Sequence, residues 1–225
     1  MKLILGILIL LFSSQNDGIF GVKEKLRRTP YAELPFECIR RAPWGKPGFA
    51  IVKEEYEGLP IFTYANLGLT EHNNYDEDVT IFRKFASNFD NYCIVALEIG
   101  VSDPGKQLLV TYDNNGKVID FLEAGVYDGG TKNRLCLKQW RIDNNKKIIV
   151  TWIKVLTGKE RNITADFSSI QGQRIDCHYR IDENGKFHKM KEIIYQQRNY
   201  PMSYLRSDKN LWEGNESVKE EVSFN

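Results

Sequence analysis

Once the first dozen residues are set aside, no stretch of this sequence approaches the run of about 18 apolar residues that a membrane-spanning helix needs. It also lacks a charge bias: Lys+Arg is 31 and Asp+Glu is 30, a net charge of +1. That excludes a nucleic-acid binder relying on bulk positive charge. The four cysteines include no C-x-x-C pair, so a zinc ribbon or a thioredoxin-like redox site finds no support. There is no G-x-S-x-G, Walker loop, H-E-x-x-H, dinucleotide fingerprint or EF-hand loop. On this reading no metal site and no cofactor are expected. What remains is a chain of 225 residues that is 42% hydrophobic, 27% charged and 12% aromatic. Those proportions exclude collagen, a long coiled coil and wholesale disorder, and leave room for a real core.

The first residues have the layout of a secretory signal. Lys2 supplies a positive start, Leu3 to Phe12 is apolar apart from Gly6, and Ser13, Ser14, Gln15 and Asn16 follow. The expectation is a signal peptide over 1–15, cleaved near Ser14, and a periplasmic or secreted protein with no membrane span after cleavage. An oxidising compartment would permit two disulfides among Cys38, Cys93, Cys136 and Cys177, with three connectivities open. Cys136 and Cys177 lie within apolar strand patterns, where a free thiol also packs well.

The strongest internal signal is a repeated hairpin phrase: Asp113-Asn-Asn-Gly-Lys117, Asp143-Asn-Asn-Lys-Lys147 and Asp182-Glu-Asn-Gly-Lys186. Each fits a three-residue loop made of a type I turn followed by a left-handed residue. Gly116 and Gly185 take that conformation cheaply; in the middle copy Lys146 must take it, or Asn145 in a shorter loop. The register pairs Asp with Lys across each loop. The next pairs inward are all apolar: Tyr112 with Val118, Ile142 with Ile148, Ile181 with Phe187. A further turn at Ser102–Lys106 precedes them. Strands are expected at 92–101, 107–112, 118–126, 134–142, 148–156, 174–181 and 187–195, with 161–167 a possible edge strand.

These strands make residues 91–198 an antiparallel β-meander. The fold class is therefore mainly β, about 7–8 strands, barrel-like or a curved open sheet, with a small mixed helical segment over 16–90 packing on the sheet. Within that segment a helix is expected near Val22–Arg28, stopped by Pro30. A second is expected over 79–89, capped by Asp78, because Val79, Phe82, Phe85, Ala86 and Phe89 share a helical face. Residues 199–225 read as a polar C-terminal tail, frayed from Glu213 onward.

Candidate chemistry is sparse. Arg174, Asp176, His178 and Arg180 alternate with Ile175, Cys177, Tyr179 and Ile181, the pattern of a sheet with one wet face. With His178 opposite Met190, that face would gather Asp176, His178, His188 and Glu192 into a polar acid–base cluster. A Cys177–His178 nucleophile pair is disfavoured, since adjacent strand residues point to opposite faces. Trp44 stands in a Pro/Gly loop where its ring could stack on a ligand. Trp140 and Trp152 sit diagonally on one hairpin face, in a core or lining a pocket.

The phrases Leu-Leu-Val-Thr-Tyr-Asp-Asn-Asn-Gly-Lys-Val-Ile-Asp (108–120) and His-Tyr-Arg-Ile-Asp-Glu-Asn-Gly-Lys-Phe (178–187), behind a signal with no lipid-anchor Cys, resemble uncharacterised exported proteins of Bacteroidetes-type bacteria. The resemblance covers residues 91–195 and carries no catalytic residues over; it implies a periplasmic or cell-surface location. The residues read best as an exported soluble binding or cell-envelope protein. Its partner would be a small molecule, a glycan or another envelope protein, with Trp44, Trp140 and Trp152 as ligand-binding candidates. The competing class is a cell-envelope hydrolase using the His/carboxylate face.

Overall fold

The computed structural model describes residues 17–38, 61–63, 78–99, 105–127, 136–156, 168–207 and 209–224. The signal segment, Trp44 and the 161–167 edge strand lie outside them.

The strands are β1 (Phe36–Cys38), β2 (Ile61–Thr63), β3 (Asp78–Ala86), β4 (Tyr92–Ile99), β5 (Gly105–Asp113), β6 (Val118–Tyr127), β7 (Cys136–Ile142), β8 (Ile148–Val155), β9 (Ser169–Ile181), β10 (Phe187–Pro201) and β11 (Val218–Ser223). They form one antiparallel sheet in which β2 to β11 are neighbours in chain order, while β1 pairs with β7 off that path. The sheet is curved and open. Helix α1 (Asp17–Arg28) precedes it; a short helix α2 (Met202–Leu205) and a 3-10 turn (Leu211–Glu213) lie between β10 and β11.

The three hairpin loops have the expected register. The N–H of each loop-opening Asp donates to the closing Lys carbonyl at 2.9–3.0 Å. Each Asp Oδ1 accepts from backbone N–H groups two and four residues on. Gly116 and Gly185 have φ of 82° and 80°, and Lys146 itself takes φ 59°. Tyr112 faces Val118, Ile142 faces Ile148, and Ile181 faces Phe187.

The helix expected over 79–89 is instead β3. A β-bulge between Ile81 and Arg83 explains the error. Before it, Val79 and Ile81 point to one face; after it, Lys84 and Ala86 share that face, and Phe82 and Phe85 point to the other. The extra residue turns a period of 2 into an apolar spacing of 3, which imitates a helix. The C-terminal end also differs from the frayed tail expected. Val218–Ser223 pairs with β10, and 202–217 folds over the outer face of β7–β10.

Around β3–β5 and β8–β9 the meander buries both of its faces. Between β6 and β7 the ladder has two pairs among the described residues, Val126 with Lys138 and Tyr127 with Cys136. Beyond them β7 pairs with β1 instead, and the two halves of the sheet fold toward each other. Their inner faces share a core of Phe82, Phe85, Ile94, Leu109, Trp140, Ile142 and Val150. On the outer face of β3–β5, α1 lays Val22 and Leu26 over Val95, Leu97 and Val110. On the outer face of β8 and β9, Met202, Leu205 and Leu211 cover Ile153 and Ile170. Hence β4 is apolar along nearly its whole length although the sheet is antiparallel.

Gly172 marks the tightest approach in the outer layer: a Cβ there would lie 2.7 Å from Ile153 Cγ2 and 3.0 Å from Tyr200 Cδ2. Gly172→Ala is expected to lower stability by about 1–3 kcal/mol in urea unfolding. Gly21→Ala in α1, where a Cβ meets nothing within 4 Å, should raise it by about 0.5–1 kcal/mol.

Candidate functional site

The bulge in β3 decides which residue lies beneath α1. It places Lys84 on the helix-covered face, opposite Val95 and next to Ala86, which faces Cys93. The lysine is 5% exposed. Its Nζ donates to the Leu26 carbonyl at 2.7 Å and lies 4.1 Å from the centre of the Tyr31 ring. Leu26 belongs to the last turn of α1, whose carbonyls lack partners within the helix and favour a cation. Thr29 caps the neighbouring Lys25 carbonyl through its N–H and its Oγ1, at 3.0 and 2.9 Å. The Lys84 carbonyl accepts from Ala32 N–H at 2.7 Å, which fixes the segment after α1 against β3.

Among the described residues, no carboxylate lies within ion-pair distance of Lys84. Cys93 and Tyr31, which lie beside it, are neutral near pH 7: burial pushes the Cys93 thiol up to about 11 and raises the Tyr31 hydroxyl. Burial also lowers the pKa of Lys84, the expected response of an ammonium taken out of water. The carbonyl bond returns about 1.5–3 kcal/mol and the ring contact about 0.5–2 kcal/mol. Desolvating an ion costs several kcal/mol, so these contacts leave little surplus. An ammonium has three donors, and the carbonyl takes one of them.

Beside Lys84 runs a groove of about 310 Å³ between α1, the turn of the β3–β4 hairpin and the β5–β6 turn. Its apolar lining includes Leu26, Ala86, Phe89 and Tyr92; Asp90, Asp113 and Asn114 add polar groups. The volume falls at the small end of ligand pockets, about 300–1,000 Å³. The described site candidates from the sequence, Trp140, Trp152, Asp176, His178, His188 and Glu192, do not line it. The signal available was Lys84 beside Arg83 among the apolar residues of Val79–Ala86, and the helical spacing of those residues conceals which face it takes.

The sequence candidates are dispersed. Trp140 is fully enclosed, its Nε1 donating to Gln107 Oε1 at 2.8 Å and its ring against Phe36, Phe82 and Phe85. Trp152 is half-buried, with Lys138 Nζ 6.0 Å from its ring centre. No disulfide joins any two of the four cysteines. A bulge at Met190 sets His178 opposite Lys191 and turns Glu192 onto the Cys177 face, its Oε2 3.7 Å from Cys177 Sγ and also bonded by Lys189. His188 Nε2 lies 2.8 Å from Asp182 Oδ2 at the hairpin turn. The four residues of the proposed acid–base face do not converge.

That face is also drier than its alternation implied. Arg174 and Asp176 are both 4% exposed, beneath residues 209–217. Arg174 reaches the Gly214 carbonyl and Glu216 at 3.1 Å, and Tyr195 donates to Asp176 Oδ2 at 3.0 Å. Gln139 clamps the same segment, donating to the Lys209 carbonyl at 3.1 Å and accepting from Leu211 N–H at 2.8 Å. These groups fasten the C-terminal segment to the sheet.

Comparison with protein-family models, with curated proteins and with solved structures gives no match.

His178 lies at the edge of this cover, and burial lowers its pKa below the ordinary 6.5. Between that lowered value and 6.5 the unfolded chain binds more protons than the folded one, so stability falls as pH drops through this window. Urea unfolding from pH 7.5 to 5 should show that loss, and His178→Gln should reduce it.

Proposed function

We propose that this chain is an exported binding protein without catalytic machinery, and that its ligand is a small molecule held in the groove beside Lys84. The observation that carries the reading is the buried Lys84 ammonium, without a carboxylate partner among the described residues, lining a groove large enough for a ligand. A buried charge is a stability liability unless something compensates it, and a bound ligand does so in the loaded state. The signal-like leader and the resemblance to exported proteins support the location. The dispersal of the His and carboxylate candidates favours binding over hydrolysis.

The test is native mass spectrometry of protein purified gently from its secretory compartment. Wild type is expected to carry a mass above that of the chain alone. Ala86→Trp, a substitution at an exposed position lining the groove, should fold normally and lose the extra mass. A clean wild-type mass, or an adduct that survives Ala86→Trp, overturns the assignment of the groove.

A further inference from the structure

We propose that the groove takes a small monocarboxylic acid with an apolar body, its carboxylate against Lys84 Nζ and its body against Leu26, Ala86, Phe89 and Tyr92. This rests on the reading of the groove as the ligand site and adds the chemical class.

Three features select that class. First, the missing element at Lys84 is a negative charge that accepts hydrogen bonds. Cys93 and Tyr31 do not supply one near pH 7, and no Asp or Glu among the described residues reaches it. Charge-assisted bonds of this kind are roughly twice as strong as neutral ones.

Second, the ligand meets one buried cation. Arg27, at the exposed edge, is already held by Glu24 through bonds of 2.8 Å, and Lys23 is exposed to water. Asp90 and Asp113 also line the groove. Asp113 Oδ1 is held by the N–H groups of Asn115 and Lys117 at 2.8 Å, which keeps its carboxylate in place. A second anionic group on the ligand would meet these acids rather than another buried cation. That disfavours dicarboxylates and phosphate esters.

Third, Leu26, Ala86, Phe89 and Tyr92 give the groove an aliphatic and aromatic part beside its polar groups, and that part holds a hydrocarbon body.

The experiment is calorimetric titration of the full chain with octanoate and phenylacetate, set against octanol and phenylacetamide, which match them in shape without the charge. The acids are expected to bind at least about tenfold more tightly than the neutral analogues, the factor set by losing one charged hydrogen bond. Lys84→Met should bring acid binding down to the level of the neutral analogues, and Lys84→Arg should retain the preference for acids. Should Lys84→Met fail to fold, the wild-type Lys84 amine resonance must still shift on adding octanoate.

Equal binding of acids and neutral analogues, or acid binding unchanged in Lys84→Met, would overturn the carboxylate assignment and leave the groove as an apolar site. The same holds if none of the four probes binds while native protein carries an adduct that Ala86→Trp removes. A mass gain mapped to Lys84 and absent at the exposed Lys23 on borohydride treatment with octanal, together with no binding of octanoate, would assign Lys84 to imine formation and also overturn the proposal.

Discussion

The fold depends on how the two halves of the sheet are held together across their inner faces. Among the described residues, two pairs link β6 to β7. What joins the halves across their inner faces is Trp140, enclosed among Phe36, Phe82 and Phe85 with its indole N–H bonded to Gln107. Gln107 Oε1 also accepts from Cys38 at 3.1 Å, and its amide nitrogen lies 3.4 Å from Glu98. One side chain of β5 is thereby tied to β1, β4 and β7. An indole buried without a partner would lose about 1–3 kcal/mol, so the Gln107 contact sets the depth at which the tryptophan can sit. β1 completes the arrangement by pairing with the part of β7 that β6 leaves.

The hairpin turns lock one end of the folded sheet. Lys146 Nζ donates to the Ser87 carbonyl at 2.6 Å, Asn114 to the Asp90 carbonyl at 2.9 Å, and Asn91 to the Glu183 carbonyl at 2.9 Å. Tyr92 reaches the Asp182 carbonyl at 3.0 Å, and Thr111 reaches that of Gly185 at 2.7 Å. Turns far apart in sequence thus satisfy one another's backbone groups, as a buried or crowded chain end requires. The same end receives α1. A Cβ on Gly116 would lie 3.0 Å from Lys23 N, so glycine there serves both the left-handed turn and the close approach of the helix. The groove is framed where this turn cluster meets the helix.

The hairpins were legible in the sequence because their information is local. Asp, Asn, Gly and Lys at fixed offsets specify the loop, and the flanking apolar pairs confirm its register. What could not be read were the phase changes. The bulge at Phe82–Arg83 made a strand look helical, and the bulge at Met190 moved Glu192 from the face of Asp176 to that of Cys177. One inserted residue changes the facing of everything beyond it, and no composition rule marks where it falls. The alternation of Arg174 and Asp176 marks their face as polar but does not make it wet. A polar strand face becomes buried when a distant segment supplies partners, here Gly214 and Glu216.

The candidate site arises from the first of those phase changes. Without the extra residue, Lys84 would point into the aromatic core with Phe82 and Trp140, where no carbonyl of α1 could reach it. With it, the ammonium meets the negative end of α1 on one side and the Tyr31 ring on another. Both contacts are dipolar or quadrupolar; neither neutralises a full charge. Were the lysine only a helix cap, it could do that work from the surface, where hydration costs nothing and the side chain lies along apolar ground. Holding it 5% exposed beside a groove keeps one positive charge in a place of reduced dielectric, where an incoming anion is bound more strongly than at a solvated lysine. The bulge, the helix C-terminus and the groove are thus parts of one arrangement.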